Sequence, residues 1–199
     1  MNGFVLAGGR STRMGRDKAL LPYAGRPLIA HAVDLLKMAG VEPHIVGARP
    51  DLAAYAPVIE DLHPGCGPLG GIEAALAASS SELNLFLPVD LPLLPAAFLR
   101  YLLQRAEISG ADATMPTWGG GPEPLCAIYC RDLLAGIRES LASGNYKVMH
   151  AVENAVRPSE VDLFSVEAVA ATRDDWPLDP PLRRWFQNLN TPAELALVS

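Results

Sequence analysis

The sequence predicts an α/β fold, a single domain over residues 1–199 with a mostly parallel central sheet and helices on both faces. Three observations predict it. Short apolar runs bounded by glycine or proline alternate along the chain with segments of helical periodicity. The length of 199 residues is enough to bury one real core. Half of the residues are apolar and 19% are charged, an ordinary balance for a globular chain.

The elements follow in order. Phe4 to Ala7 is a short apolar run closed by Gly8-Gly9, hence a buried strand. Ala19 to Pro27 is an apolar segment and a turn, and Pro27 opens a helix from about Leu28 to Met38 that Gly40 stops. Val41 to Ala48 is a second strand. Tyr55 to Ile59 leads into a third, ending at Glu60-Asp61. A glycine-rich loop, His63 to Gly71, feeds a helix over Ile72 to Ala78. Leu83 to Val89 is a fourth strand, followed by Asp90-Leu91-Pro92. Pro95 to Ala106 is a helix with Phe98, Leu99, Leu102 and Leu103 inward. Ala111 to Pro116 and Glu123 to Tyr129 are strands around a loop at Trp118 to Pro122. Asp132 to Leu141 is a helix and Ser159 to Ser165 a strand. Arg173 to Arg184, rich in proline and charge, is irregular. Thr191 and Glu194 form a capping box with Pro192 at the first helical position.

Composition excludes several function classes. A formal net charge of −6 argues against general nucleic-acid binding. A run of about 18 apolar residues, which a membrane helix needs, is missing, and so is the basic-then-apolar start of a secretory signal. Cys66, Cys126 and Cys130 are too few and too irregular for a disulfide scaffold or a tetrahedral zinc site. Cys126 and Cys130 are expected on one face of a strand as small buried residues, and a reducing, cytoplasmic setting fits. His31 and His44 lack a partner at metal-ligand spacing and are expected to be exposed or satisfied.

The chemistry concentrates in the first loop. After Ala7 come Gly8, Gly9 and Gly15, with the cations Arg10, Arg13, Arg16 and Lys18 and one acid, Asp17, so this loop carries a net +3 (four cations less one acid) in an acidic chain. Glycines let backbone N–H groups turn towards a ligand, and Arg and Lys supply charge for an anion with many oxygens. The pattern reads as a phosphate cradle at the carboxyl end of the first strand, the alternative being a solvated strand-to-helix turn. It is not a Walker loop, because no Gly-Lys is followed by a hydroxyl. It is not a dinucleotide fingerprint either: the glycines are adjacent and the second strand ends in Val46-Gly47-Ala48-Arg49, without the acid that binds a ribose. A second feature is Asp90, a carboxylate just past a buried strand, where open α/β sheets bind ligands. Such a carboxylate suits Mg²⁺ shared with a triphosphate, and a turn-forming Asp is the alternative.

The stretch Leu6-Ala7-Gly8-Gly9-x-Ser11-x-Arg13-Met14-Gly15-x-Asp17-Lys18 resembles the signature loop of the molybdenum cofactor guanylyltransferases, within the wider nucleotidyltransferase superfamily. Gly67-Pro68-Leu69-Gly70-Gly71-Ile72, Val89-Asp90-Leu91-Pro92, Gly144 to Met149 and Asn188-Leu189-Asn190-Thr191-Pro192 resemble further motifs of that family. The resemblance implies a Rossmann-like nucleotidyltransferase fold. It implies transfer of GMP from GTP to the terminal phosphate of molybdopterin or the molybdenum cofactor, with pyrophosphate leaving, and molybdoenzyme maturation proteins as further partners. Carried over, Leu6, Ala7, Gly8 and Gly9 contact the nucleotide through backbone, Arg13 and Lys18 neutralise phosphates, Asp61 reads base or ribose, and Asp90 binds Mg²⁺. Lys147, Asn188 and Asn190 are placed on the acceptor side, with a solvated lysine as the alternative at Lys147. Trp118 or Glu123 is a further acceptor contact, Trp118 alternatively a loop anchor. Gly47 stands where relatives offer an Asn, which puts one ribose contact in question. Leu-Ala-Gly-Gly favours the guanylyl branch over relatives with Leu-Ala-Ala-Gly. The alternatives are a related enzyme using CTP or another phosphorylated acceptor such as a sugar phosphate, and a non-catalytic nucleotide-binding partner.

Overall fold

The computed structural model describes residues 1–8, 17–157, 160–189 and 194. Gly9, Arg13, Asn190 and the Thr191-Pro192 part of the capping box lie outside the described residues. The first strand, β1 (Asn2–Leu6), pairs in parallel with β4 (Glu42–Val46) on one side and with β6 (Leu83–Pro88) on the other. Next to β4 lies the short parallel β5 (Val58–Ile59). Beyond β6 the sheet continues through β9 (Ile128–Cys130), β7 (Ala113–Trp118) and β10 (Val161–Ser165), in the order β10-β7-β9-β6-β1-β4-β5. β9 is antiparallel to both neighbours, and β8 (Gly121–Pro122) folds back on β7. A separate small hairpin joins β2 (Pro22–Tyr23) and β3 (Arg26–Pro27).

Residues alternate between the two faces of the sheet, as the pleat requires. Val5, Ile45, Leu85 and Leu87 face a core built with α1 (Leu28–Ala39) and α3 (Ala96–Ser109). Phe4, Val46 and Phe86 face the other, built with α2 (Pro68–Ala78), α4 (Leu134–Ala142) and α5 (Val148–Ala155). The Phe4 and Phe86 rings stack at 5.3 Å between centroids. The chain leaves β1 for β4 on one side and returns through α2 to β6 on the other, so strand order reverses at β1. That reversal opens a crevice at the carboxyl ends of β1, β4 and β6, the place where open α/β sheets bind ligands.

Several expectations need correction. The glycine-rich stretch is not all loop: α2 already begins at Pro68, whose missing N–H is harmless at the first helical position. Glycine stands at two of its positions because the packing leaves no room for a side chain. A Cβ on Gly70 would lie 2.8 Å from Asp61 Oδ1, and one on Gly71 3.2 Å from Val46 Cγ1. The Glu123 to Tyr129 strand is confined to its end, because Pro122 and Pro124 lack N–H donors and Cys126 N–H closes a turn on Glu123 O at 3.0 Å. Cys126 therefore lies outside the strand, although it and Cys130 are both buried. Trp118 to Pro122 is not a plain loop but a hairpin turned by Gly119 and Gly120, both with positive φ. Past Gly144 the chain forms α5, and α4 packs close to it because Gly136 faces Ala155 with no space for a Cβ. His31 is satisfied by Tyr23 O at 2.8 Å, whereas buried His44 Nδ1 finds no partner among the described residues.

The irregular Arg173 to Arg184 stretch has a packing role. Trp176 is buried against Phe98, Tyr101 and Trp185, and the Arg173 guanidinium lies over the Tyr101 and Trp176 rings. A short α6 (Val166–Ala170), capped by Ser165, leads into it from β10.

Candidate active site

The crevice is a cleft of about 820 Å³. Leu6 and Gly8 enter from the end of β1, Val46 and Gly47 from β4, and Pro88, Val89 and Asp90 from β6. Lys18 stands at one wall, and Asp61, Gly65 and Pro68 form another, at the start of α2. Two smaller hollows of about 470 Å³ lie elsewhere, one beside Arg100 and Arg173 and one beside His31 and Asp34, and neither reaches Lys18 or Asp90.

Close backbone approach shapes the floor. Gly47 has φ +142°, and a Cβ there would sit 3.2 Å from the N and Cα of Gly8. The ends of β1 and β4 thus meet glycine against glycine, which leaves the backbone bare to a ligand. Ala7 lies below this floor with its N–H bonded to Val46 O at 3.1 Å. The position flagged as a departure, Gly47, is here the residue that lets Gly8 reach the cleft.

Lys18 and Asp90 face each other across the cleft as a direct ion pair between Nζ and Oδ2. Asp90 is 8% exposed. Its chain direction is fixed by Pro92 ahead and by Leu189, whose N–H donates to Asp90 O at 3.0 Å. That bond ties the backbone next to Asn188 to Asp90, while Asn188 itself is exposed and does not line the cleft. Glu123 adds a second carboxylate in the same field: burial first, and then the Asp90 charge, raises its pKa above the ordinary glutamate value.

The wall around Asp61 is held by its own network. Asp61 Oδ1 accepts from His63 N–H at 2.8 Å, an Asx turn. Behind it Glu73 of α2, 5% exposed, accepts from Arg138 Nε at 2.7 Å, with His63 Nε2 at 3.7 Å. The buried carboxylate is thereby paired, as it must be to stay charged. Lys147 is exposed at the start of α5 and does not line the cleft. Trp118 stacks on Phe186 at 5.6 Å, which anchors its hairpin.

Arg49 was invisible to sequence reasoning as a site-related residue. It is 5% exposed and lies between Asp17 and Asp51. A lone arginine after a strand gives no signal of a partner in a loop 32 residues away. Leu125 also lines the cleft.

An α/β sheet whose reversal point presents glycine backbone, a lysine and a buried carboxylate to one cleft defines a nucleotidyltransferase-type site. The chain belongs to the MobA-like NTP transferase domain family, whose sequence profile matches residues 3–158. It is 34% identical over 202 aligned residues to a molybdenum cofactor guanylyltransferase of Xanthomonas euvesicatoria pv. vesicatoria, covering 96% of this chain and 90% of that protein. It is 33% identical to a probable molybdenum cofactor guanylyltransferase of Carboxydothermus hydrogenoformans, again over 96% of this chain and 90% of the other. The crystal structure of molybdopterin-guanine dinucleotide biosynthesis protein A from Archaeoglobus fulgidus superposes with a TM-score of 0.78 at 27% identity, covering 100% of this chain and 96% of that one.

Proposed function

We propose that this protein transfers GMP from GTP to the terminal phosphate of molybdopterin or its molybdenum-loaded form. An acceptor phosphate oxygen attacks the α-phosphorus, the bond from that phosphorus to the bridging oxygen of the β-phosphate breaks, and pyrophosphate leaves with the electron pair. The observation that carries the reading is the Lys18–Asp90 pair in a glycine-floored cleft at the strand ends. Near full-length similarity to proteins named as guanylyltransferases supports the substrate assignment.

The attacking group is already an anion, so the chain needs no nucleophile of its own. Its work is positioning and charge neutralisation. Backbone at Leu6 and Gly8 borders the nucleotide, Asp61 accepts from base or ribose, and Lys18 neutralises phosphate oxygens. Arg13, outside the described residues, is assigned to the same phosphates, and Gly9 to the backbone cradle. To do this Lys18 must exchange its pairing with Asp90 for the phosphate oxygens.

The donor set fits Mg²⁺. Asp90 offers hard oxygen at the cleft, and Mg²⁺ takes one or two carboxylates together with substrate phosphates and water. Bound there, Mg²⁺ would withdraw charge from the phosphates. Asn188 and Asn190, the latter outside the described residues, are assigned to the acceptor side on the resemblance of their Asn-x-Asn-Thr-Pro stretch; Leu189 N–H bonds Asp90 O. Lys147 would reach an acceptor phosphate only from outside the cleft.

Calorimetric binding of GTP, CTP and ATP, with and without Mg²⁺, tests this on the wild type and Asp90→Ala. GTP is expected to bind best, with Asp90→Ala weakening its binding only when Mg²⁺ is present. Preference for CTP would keep the site and change the product, and absence of nucleotide binding would overturn the site reading.

A further inference from the structure

Arg49 directs three guanidinium nitrogens at two carboxylates. Nε and Nη2 grip Asp51 at 2.9 and 2.7 Å, and Nη1 donates to Asp17 Oδ1 at 2.9 Å, with Nη2 paired to Asp17 Oδ2. The Asp51 contact is local, within one turn of chain. The Asp17 contact spans 32 residues and joins the end of β4 to the glycine- and cation-rich loop. Asp17 in turn caps a single 3₁₀ turn, Lys18–Leu20, by accepting from Ala19 N–H at 3.0 Å. That turn is pinned from below by buried Ala19 and Leu21 and by Leu28 N–H on Leu21 O at 3.0 Å. Its first residue is Lys18, whose ammonium reaches Asp90.

We propose that Arg49 is a positioning residue of the transfer site: buried two residues past Gly47, it fixes Asp17, and through Asp17 the backbone from which Lys18 addresses the nucleotide phosphates. The role rests on the assignment of Lys18 to phosphate. The chemistry requires arginine. A planar fork serves two carboxylates at fixed angles, and its charge is consumed by them, so Lys18 presents the unopposed charge once Asp90 is released. A lysine at 49 would offer one ammonium, which cannot reproduce the planar fork set against both carboxylates.

The experiment is a double-mutant cycle on GTP affinity, with GMP as the control ligand, using Arg49→Lys and Lys18→Ala. Thermal unfolding establishes that each variant is folded. Arg49→Lys is expected to weaken GTP by about tenfold or more, the scale of losing a supporting residue behind a ligand. GMP affinity should change far less, because base and ribose contacts are untouched. In the Lys18→Ala background, Arg49→Lys should add nothing further. Asp17→Asn keeps an oxygen for the Ala19 cap while weakening the ion pair, so it should show the same pattern; it carries the test should Arg49→Lys not fold. Additive losses in the cycle, equal losses for GMP and GTP, or wild-type affinity in both single variants would overturn the positioning role while leaving the transfer reading intact. Failure of the wild type to bind GTP would overturn the phosphate assignment itself and the role of Arg49 with it.

Discussion

Leu189 N–H donates to the carbonyl of Asp90 at 3.0 Å, so a segment near the end of the described residues is fastened two residues past β6. Asn188, the exposed residue before Leu189, is thereby tied through the backbone to Asp90, the carboxylate proposed for Mg²⁺. Asn188→Ala is expected to lower turnover with the phosphorylated acceptor about tenfold or more, the worth of a hydrogen bond to a charged group, while GTP affinity stays within about twofold. Steady-state kinetics with the acceptor varied, beside GTP calorimetry, separate the two effects.

Asp90→Asn makes opposite changes with and without metal. The variant removes a carboxylate that both holds Lys18 and repels phosphates. GTP should bind more tightly than to wild type when Mg²⁺ is chelated, because Lys18 is free and the repulsion is gone. With Mg²⁺ the order should reverse, and kcat/KM should fall by the equivalent of about 2–4 kcal/mol. A single set of titrations in chelator and in Mg²⁺ reads both signs.

Gly47→Ala should injure stability and ligand binding together. Its φ of +142° is strained for alanine, and the new methyl would meet the Gly8 backbone at 3.2 Å. Overpacking of this kind costs about 1–3 kcal/mol, read by urea unfolding. Because Gly8 must move, GTP affinity should fall as well.

Glu123 gives a pH signature. Its pKa is raised in the folded protein by burial and by Asp90, so the folded state holds the proton more tightly than the unfolded one. Stability then falls as pH rises from the ordinary glutamate range through the raised folded value. Glu123→Gln should remove this slope, leaving a variant whose Tm exceeds that of the wild type by more at pH 7 than at pH 4. Unfolding scans across that range measure it.

The fold was legible because the central parallel strands contain short apolar runs, such as Phe4-Val5-Leu6 or Leu85-Phe86-Leu87, and the first long helix carries its own stop, Gly40 with φ +90°. Elements set by packing were not. The helical start at Pro68 looks like loop because Gly70 and Gly71 serve contacts with Asp61 and Val46 that lie far off in sequence. Helix α5 is eight residues long, too short to announce itself after Gly144. Leu6, Gly8, Lys18, Asp61 and Asp90, each singled out from the sequence, line one cleft. Arg49 was not singled out, since its meaning lies in Asp17 across the fold, and the buried Glu73–Arg138 pair is hidden for the same reason.

The clustering of aromatic rings has an optical consequence. The chain has three tryptophans, and all stand in one chain of ring contacts: Trp176 and Trp185 against Phe98, and Trp118 on Phe186, which itself meets Phe98. Trp176 and Trp185 are 5.2 Å apart, close enough to share excitation. Phe186 lies three residues before Leu189, the residue that grips Asp90. Intrinsic emission from this protein is therefore a local gauge of one corner rather than an average over the molecule. It should stay silent when the Asp61 wall alone is filled, and change colour or intensity when something shifts the strand end at Asp90.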